Sequence, residues 1–212
     1  MNFVRIFYLS NKKFFMLKIG FDAKRLFNNF TGLGNYSRDL VSNLNHFYPE
    51  NDYHLYTPKI QSNSRTEPFF YNSNFIIHQP NFPFFKSYWR SAGMKNRFER
   101  DNIQIFHGLS HELPIGIQKS KVKSIVTIHD LIFKYYPEYF PWTDRQVYDW
   151  KFRYACEKAD LIIAISESTK RDIIQFYNIP ESKISGAEMD VYWRPLNGLD
   201  LKAGVSYLNS KV

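Results

Sequence analysis

The chain has 212 residues, 44% of them hydrophobic, enough to fill the core of one large domain or two small ones, and it reads as soluble and globular. Its 28 basic and 20 acidic side chains leave a net charge of +8, which points to an anionic partner such as a phosphate ester, an acidic lipid surface or nucleic acid, or else reflects a lysine- and asparagine-rich genome. One cysteine, Cys156, excludes an internal disulfide framework and a CxxC metal knuckle and suits a reducing compartment, and no run nears the roughly 18 apolar residues of a spanning helix.

Residues 1–15 form an extension in which Arg5, Lys12 and Lys13 interrupt an aromatic-rich run without any acid. Those charges, and the lack of an A-x-A-like site, make it a poor secretory signal. Translation from Met16, directly before the first strand, is the favoured reading; a surface-anchoring segment is the alternative.

From Met16 onward, short apolar runs alternate with helical periodicity. Leu17–Phe21 reads as a buried strand, and after the glycine loop Tyr36, Leu40, Val41, Leu44 and Phe47 mark one face of a helix that Pro49 ends. Tyr53–Thr57 and Phe75–Gln79 follow as strands. Residues 82–97 then place Phe, Tyr and Trp beside Lys86, Arg90, Lys95 and Arg97, which reads either as a surface for a membrane interface or a lipid-linked acceptor, or as an aromatic core edge with solvated lysines. No recognised nucleic-acid module is present.

Ile103–Gly108 and Ser124–Asp130 are further strands, each with a histidine near its end. Thr143 and Gln146 have the spacing of a capping box opening a helix that Val147, Trp150 and Tyr154 continue, with Cys156 a packed thiol inside it. Leu161–Ser166 is an apolar strand, and the helix behind it stops before Pro180. This alternation predicts an α/β fold, a doubly wound parallel sheet of Rossmann type with ligands at the carboxyl ends of its strands, where Gly32, Gly34, His107 and His129 fall. Beyond Ser185 neither strand alternation nor a helical face is legible, so residues 186–212 read as an atypical tail.

Gly32 and Gly34 leave a helix amino terminus bare enough for a phosphate to approach its unpaired N–H groups. They depart from the dinucleotide fingerprint, because Ser37 holds the third glycine position and the segment 22–31 separates them from the strand; an ordinary glycine turn is the alternative. His129, at a strand end before Asp130, can hydrogen-bond sugar hydroxyls or stabilise charge, or else merely satisfy a neighbouring loop. His107 and His111 are four apart, but Gly108 and Pro114 mark a loop rather than a metal-binding helix face. A Ser110, His129 and Asp130 triad lacks its G-x-S-x-G elbow.

Taken together, "IGFDAKRLFNNFTGLGNYSRDLV", "FHGLSHELP", "TIHDLIFKYYPEYF" and "ADLIIAISESTKRDII" resemble the amino-terminal, acceptor-side half of GT-B glycosyltransferases of family 4, the retaining group labelled group 1 or mannosyltransferase-like. The resemblance runs over about residues 16–185. It implies a nucleotide-sugar donor, a hexosyl group such as mannose or glucose, a cell-surface glycan or lipid-linked acceptor, and no essential metal or other cofactor. It makes His129 the catalytic residue and Gly32, Gly34, Asn35, His107, Asp130, Ser166 and Glu167 substrate-binding residues, with Ser166 also a helix cap. It further implies a cytoplasmic protein with possible peripheral contact at the inner face of the membrane. Family members continue into a second doubly wound domain with a paired-glutamate E-x7-E motif. No such motif follows Ile184 here, so the expectation is a truncated or frame-shifted product, or an acceptor-side domain whose second half is on another chain. A non-catalytic membrane- or glycan-binding domain is the alternative.

Overall fold

A computed structural model describes residues 16–80 and 88–185, and the backbone of 187–196 and 199–207. The extension 1–15 and the aromatic stretch 81–87 lie outside the described residues.

Seven strands form one sheet in which every pairing is parallel. They are β1 (Lys18–Asp22), β2 (Asp52–Tyr56), β3 (Phe75–His78), β4 (Ile105–Gly108), β5 (Lys123–Ile128), β6 (Leu161–Ala164) and β7 (Ile184–Ser185), in the spatial order β3-β2-β1-β4-β5-β6-β7. The order reverses between β1 and β4, and at such a switch point the helices after neighbouring strands leave to opposite sides and open a crevice at the carboxyl ends. The helices are α1 (Lys24–Asn28), α2 (Gly32–Phe47), α3 (Pro68–Tyr71), α4 (Lys95–Asp101), α5 (Ile132–Tyr135), α6 (Trp142–Lys158) and α7 (Glu167–Tyr177), with a π-helical turn at Trp89–Gly93.

Strand alternation divides the core. Phe21, Tyr53 and Leu55 join Leu26, Phe27 and Val41 in a cluster under α2, whereas Tyr56, Phe106, Val126, Ile128, Ile162 and Ala164 belong to a second cluster. Successive residues of a strand point to opposite faces, so these are the two sides of the sheet. Cys156 is wholly buried in the second cluster, where burial pushes its thiol up to about 12, as expected of a packed rather than reactive cysteine.

Four expectations are corrected. Phe47 is 65% exposed, so the buried face of α2 ends earlier, with Val41 and half-buried Leu44. Thr143 does not cap α6: the helix begins at Trp142 behind Pro141, whose ring fixes φ at −53° and sets the entry one residue sooner, and no side chain caps that end. The helix does continue through Val147, Trp150 and Tyr154, and its buried residues are Ala155 and Cys156. Arg90 is not a solvated cation but is 7% exposed at the centre of an ion network, and Met94 and Trp89 pack on the core, so the described part of the 82–97 segment is a core edge. The tail after Ser185 contains two antiparallel strands, β8 (Ala187–Leu196) and β9 (Leu199–Tyr207), with a register shift between Trp193 and Leu196 at the end of β8. The sequence signal for them is the Asn-Gly pair at 197–198 between the two runs.

Candidate active site

β5 ends at Ile128, and its continuation carries His129 to the carboxyl edge of the sheet on the α2 side. His129 is 8% exposed. Its Nε2 lies 2.9 Å from the Leu109 carbonyl, which can only accept, so Nε2 carries the proton and Nδ1 presents a lone pair. Burial lowers the pKa of the ring, with the Leu109 carbonyl and Asp130 opposing it and Arg25 assisting, so the neutral form prevails near pH 7. Its backbone is held as well. Its N–H donates to His111 Nε2 at 3.1 Å, and its carbonyl accepts from Thr169 Oγ1 at 3.0 Å.

Thr169 is itself positioned by Ser166. Ser166 caps α7, accepting from the Thr169 N–H at 3.1 Å, and since Thr169 Oγ1 donates to His129, the Ser166 hydroxyl donates to Thr169 Oγ1 at 3.0 Å. Ser166 thus reaches His129 through one side chain. Glu167 is exposed in the first turn of α7.

On the opposite wall, Tyr36 of α2 meets the His129 ring edge-on at a centroid distance of 4.8 Å. Its hydroxyl lies 3.0 Å from Thr127 Oγ1, which lies 2.8 Å from His107 Nε2. His107 is therefore a buried neutral support beneath the crevice, its pKa pushed down to about 3 by burial and then by His129. His111, in a left-handed conformation with φ 63°, stacks on Phe152 at 4.3 Å and is likewise held near 3, chiefly by burial. Its Nε2 accepts from the His129 and Asp130 backbones, so it is an organiser of the loop. Exposed Asp130 accepts from the Ile132 N–H at 3.2 Å.

The glycines differ. A Cβ on Gly34 would lie 1.7 Å from the Asn29 carbonyl oxygen, so its bareness is required by the close crossing of α1 and α2, and its N–H already donates to Asn29 Oδ1 at 3.0 Å. A Cβ on Gly32 would meet nothing within 4 Å: the first turn of α2 is open there. Asn35 is exposed, with Oδ1 accepting from Arg38 at 2.7 Å. The structure thus brings Gly32, Gly34, His107, His129 and Ser166 to one end of the sheet, with His107 below the surface.

Sequence reading passed over Tyr36, Thr127 and Thr169 as site residues. The alternation of Thr127 with His129 is the one signal that could have found them. It also passed over a buried ion network at the carboxyl end of β1. Arg90 contacts Asp22 at 2.6 Å and Glu112 at 2.7 Å, and Lys151 contacts Glu112 at 2.9 Å. Burial works against all these charges, but the carboxylates outweigh it and raise Arg90, while Arg90 and Lys151 hold Glu112 down to about 2.

Two further features contain none of these residues. His54, His78 and Asp101 place one ligand atom each within 4.8 Å of the others, a spacing that could hold a metal ion. The two rings, however, are nearly parallel at 10° with centroids 5.0 Å apart and His54 Nδ1 2.9 Å from His78 Nε2, the geometry of an in-plane N–H···N bond. A concavity of about 660 Å³ lies at the amino-terminal ends of β1 and β5, lined by Met16, Lys18, Phe98, Ile103, Gln104 and Val122, and holds none of the candidate residues. No described helix is long and apolar enough to cross a membrane.

No curated protein matches this chain. Among solved structures, a glycosyltransferase from Rickettsia africae ESF-5 is similar at 12% identity and a TM-score of 0.48, over 80% of this chain and 42% of that one. The wall teichoic acid polymerase TagF is similar at 12% identity and a TM-score of 0.46, over 79% of this chain and 37% of that one. This chain therefore spans less than half the length of either structure. The model of the family described as Glycosyltransferase Family 4 matches residues 30–185, which include most of the sheet and every residue of the crevice wall from Gly32 to Glu167. The chain belongs to Glycosyltransferase Family 4.

Proposed function

We propose that the chain is the acceptor-side half of a retaining, nucleotide-sugar-dependent glycosyltransferase, which moves a hexosyl group such as mannose or glucose to a cell-surface glycan or lipid-linked acceptor. His129 carries this reading: a neutral imidazole, fixed by Leu109, Thr169 and His111, stands at the carboxyl end of a parallel sheet beside the open first turn of α2. Its Nδ1 lone pair suits a hydroxyl of the transferred sugar, and no side-chain rearrangement is needed at the moment of reaction, which is the condition for electrostatic stabilisation of an oxocarbenium-like state. The leaving diphosphate takes the acceptor proton on the same face, so configuration is retained. Gly32 and the neighbouring amides line the approach of the phosphates, and Asn35, Asp130, Ser166 and Glu167 border it. A second doubly wound unit, on this or another polypeptide, grips the nucleotide, and the reaction needs no metal. The setting is cytoplasmic, peripheral to the inner face of the membrane.

The test replaces the native copy with His129→Ala in the source cell and follows label from UDP-, GDP- and dTDP-hexoses into glycan in extracts. The expected result is a transfer rate lower by about 10²–10³-fold with one donor and an unchanged unfolding temperature of the purified chain. Undiminished transfer overturns the assignment of His129.

A non-catalytic membrane-binding domain is the second reading, favoured by the exposed rings of Tyr135, Tyr136, Tyr139, Trp142 and Trp150 on α5, α6 and the turn between them. In that case His129→Ala leaves glycan labelling untouched, while the chain sediments with anionic vesicles and releases them as salt rises.

A further inference from the structure

α1 begins directly after β1, at the switch point of the sheet, and its first two residues are both cations. The ion network beside them is closed: Asp22 and Glu112 are matched by Arg90 and Lys151, two negative against two positive. Lys24 and Arg25 are therefore two cations in excess of its carboxylates. Among the described residues neither makes an ion pair with a carboxylate.

Both side chains are half-buried, and Arg25 Nε is buried with no hydrogen-bond partner. Burial, then the neighbouring Arg90 charge, lowers the pKa of Lys24 against the weaker opposition of Glu112 and Asp22, so the carboxylates nearby offset its charge only in part. Arg25 is close enough to His129 and His111 to depress both. The backbone that carries the two cations is fixed on all sides. Lys24 N–H donates to Asp22 Oδ1 at 3.2 Å, its carbonyl accepts from Asn28 at 3.0 Å, and the Arg25 carbonyl accepts from Asn29 N–H at 3.0 Å. A desolvated, unpaired cation costs stability, so two side by side at a crevice are suited to a ligand that brings the missing charge. A guanidinium fork beside an ammonium matches a phosphate, which carries up to two charges and three acceptor oxygens.

We propose that Lys24 and Arg25 form a phosphate subsite on the acceptor side of the crevice, next to His129. It rests on the reading of the crevice as the acceptor's, and assigns the acceptor a phosphate close to the hydroxyl that receives the sugar. The phosphate belongs either to a soluble phosphomonoester or to a lipid headgroup.

The test measures binding of the whole chain in three arms: glycerol 3-phosphate, phosphatidylcholine vesicles carrying phosphatidic acid, and UDP. The variants are Lys24→Gln and Arg25→Gln, singly and together, with exposed Lys121→Gln as the control for general charge. The double variant is expected to weaken binding at least tenfold in the glycerol phosphate or the vesicle arm, and whichever arm responds identifies the source; Lys121→Gln leaves both unchanged. Because the two cations exceed the described carboxylates around them, the double variant also keeps or raises the unfolding temperature, which a structural role for either would not allow. Equal affinity of wild type and double variant overturns the subsite, as does the absence of binding in every arm. Loss confined to UDP assigns the cations to the donor and overturns the acceptor assignment. Transfer is not measured, and His129→Ala binds the phosphate probes normally, so failure of the glycosyltransferase reading and failure of the subsite are separate results.

Discussion

At the scale of single residues, the two glycines that look alike in sequence have different reasons to be glycine. Gly34→Ala forces a methyl group against the Asn29 carbonyl and is expected to cost about 1–3 kcal/mol, read as a lowered unfolding temperature. Gly32→Ala meets open space and is expected to leave that temperature unchanged or slightly raised. The spacing of the pair was legible, but the reason for Gly34 was not, because it depends on α1, which the sequence showed only as a gap between strand and glycines. Arg90 was misread for a similar cause. A cation among aromatics looks like a surface residue until its carboxylates are known, and Asp22 and Glu112 lie 68 and 22 positions away, the first bonded directly to the Arg90 Nε. The place of His129 at the end of β5 was legible because a histidine directly after an apolar strand leaves few places for its ring.

At the scale of elements, helix starts decide what the site rests on. Ser166→Ala removes the cap of α7 and is expected to cost about 1 kcal/mol in urea unfolding. It also frees Thr169, so the imidazole resonances of His129 should shift even where the fold persists. Thr143→Ala, in the first turn of α6 but not its cap, is expected to stay within about 0.5 kcal/mol. Both starts carry a plausible capping residue in sequence. They part because proline at 141 dictates the backbone one residue early, whereas nothing precedes Ser166 but an extended strand. The β8–β9 pair was missed although apolar and polar residues alternate through Ala187–Trp193 and Leu199–Tyr207; its register shift, between Trp193 and Leu196, falls outside those runs.

At the scale of the whole molecule, the parallel sheet was readable from the alternation of apolar strands and helices, while the strand order, and with it the switch point that Lys24 and Arg25 occupy, was not. The buried imidazoles give the molecule an acid limit. His107 and His111 have folded values near 3 against an ordinary 6.5, so the unfolded chain binds more protons between those limits. Stability is full above about pH 6.5 and falls as the pH drops toward 3, and Glu112, held near 2, adds a further loss below its ordinary 4.5. Urea midpoints measured from pH 7 to 4 are expected to decline from just below pH 6.5, well before carboxylates alone would act. The order β3-β2-β1-β4 also governs how the polypeptide matures. During synthesis β2 reaches β1 early, its loop anchored by the Leu17–Asn51 bond across 34 positions, whereas β4 must return across 86, as the Lys18–Gln104 bond marks. All of the Phe21 cluster except Leu109 is made before β4, and in that interval the far flank of β1 is an open template for stray strands. The middle of the finished sheet is thus a seam that the newborn chain must leave open until β4 is made, and the moment before it closes is when a chaperone would matter most.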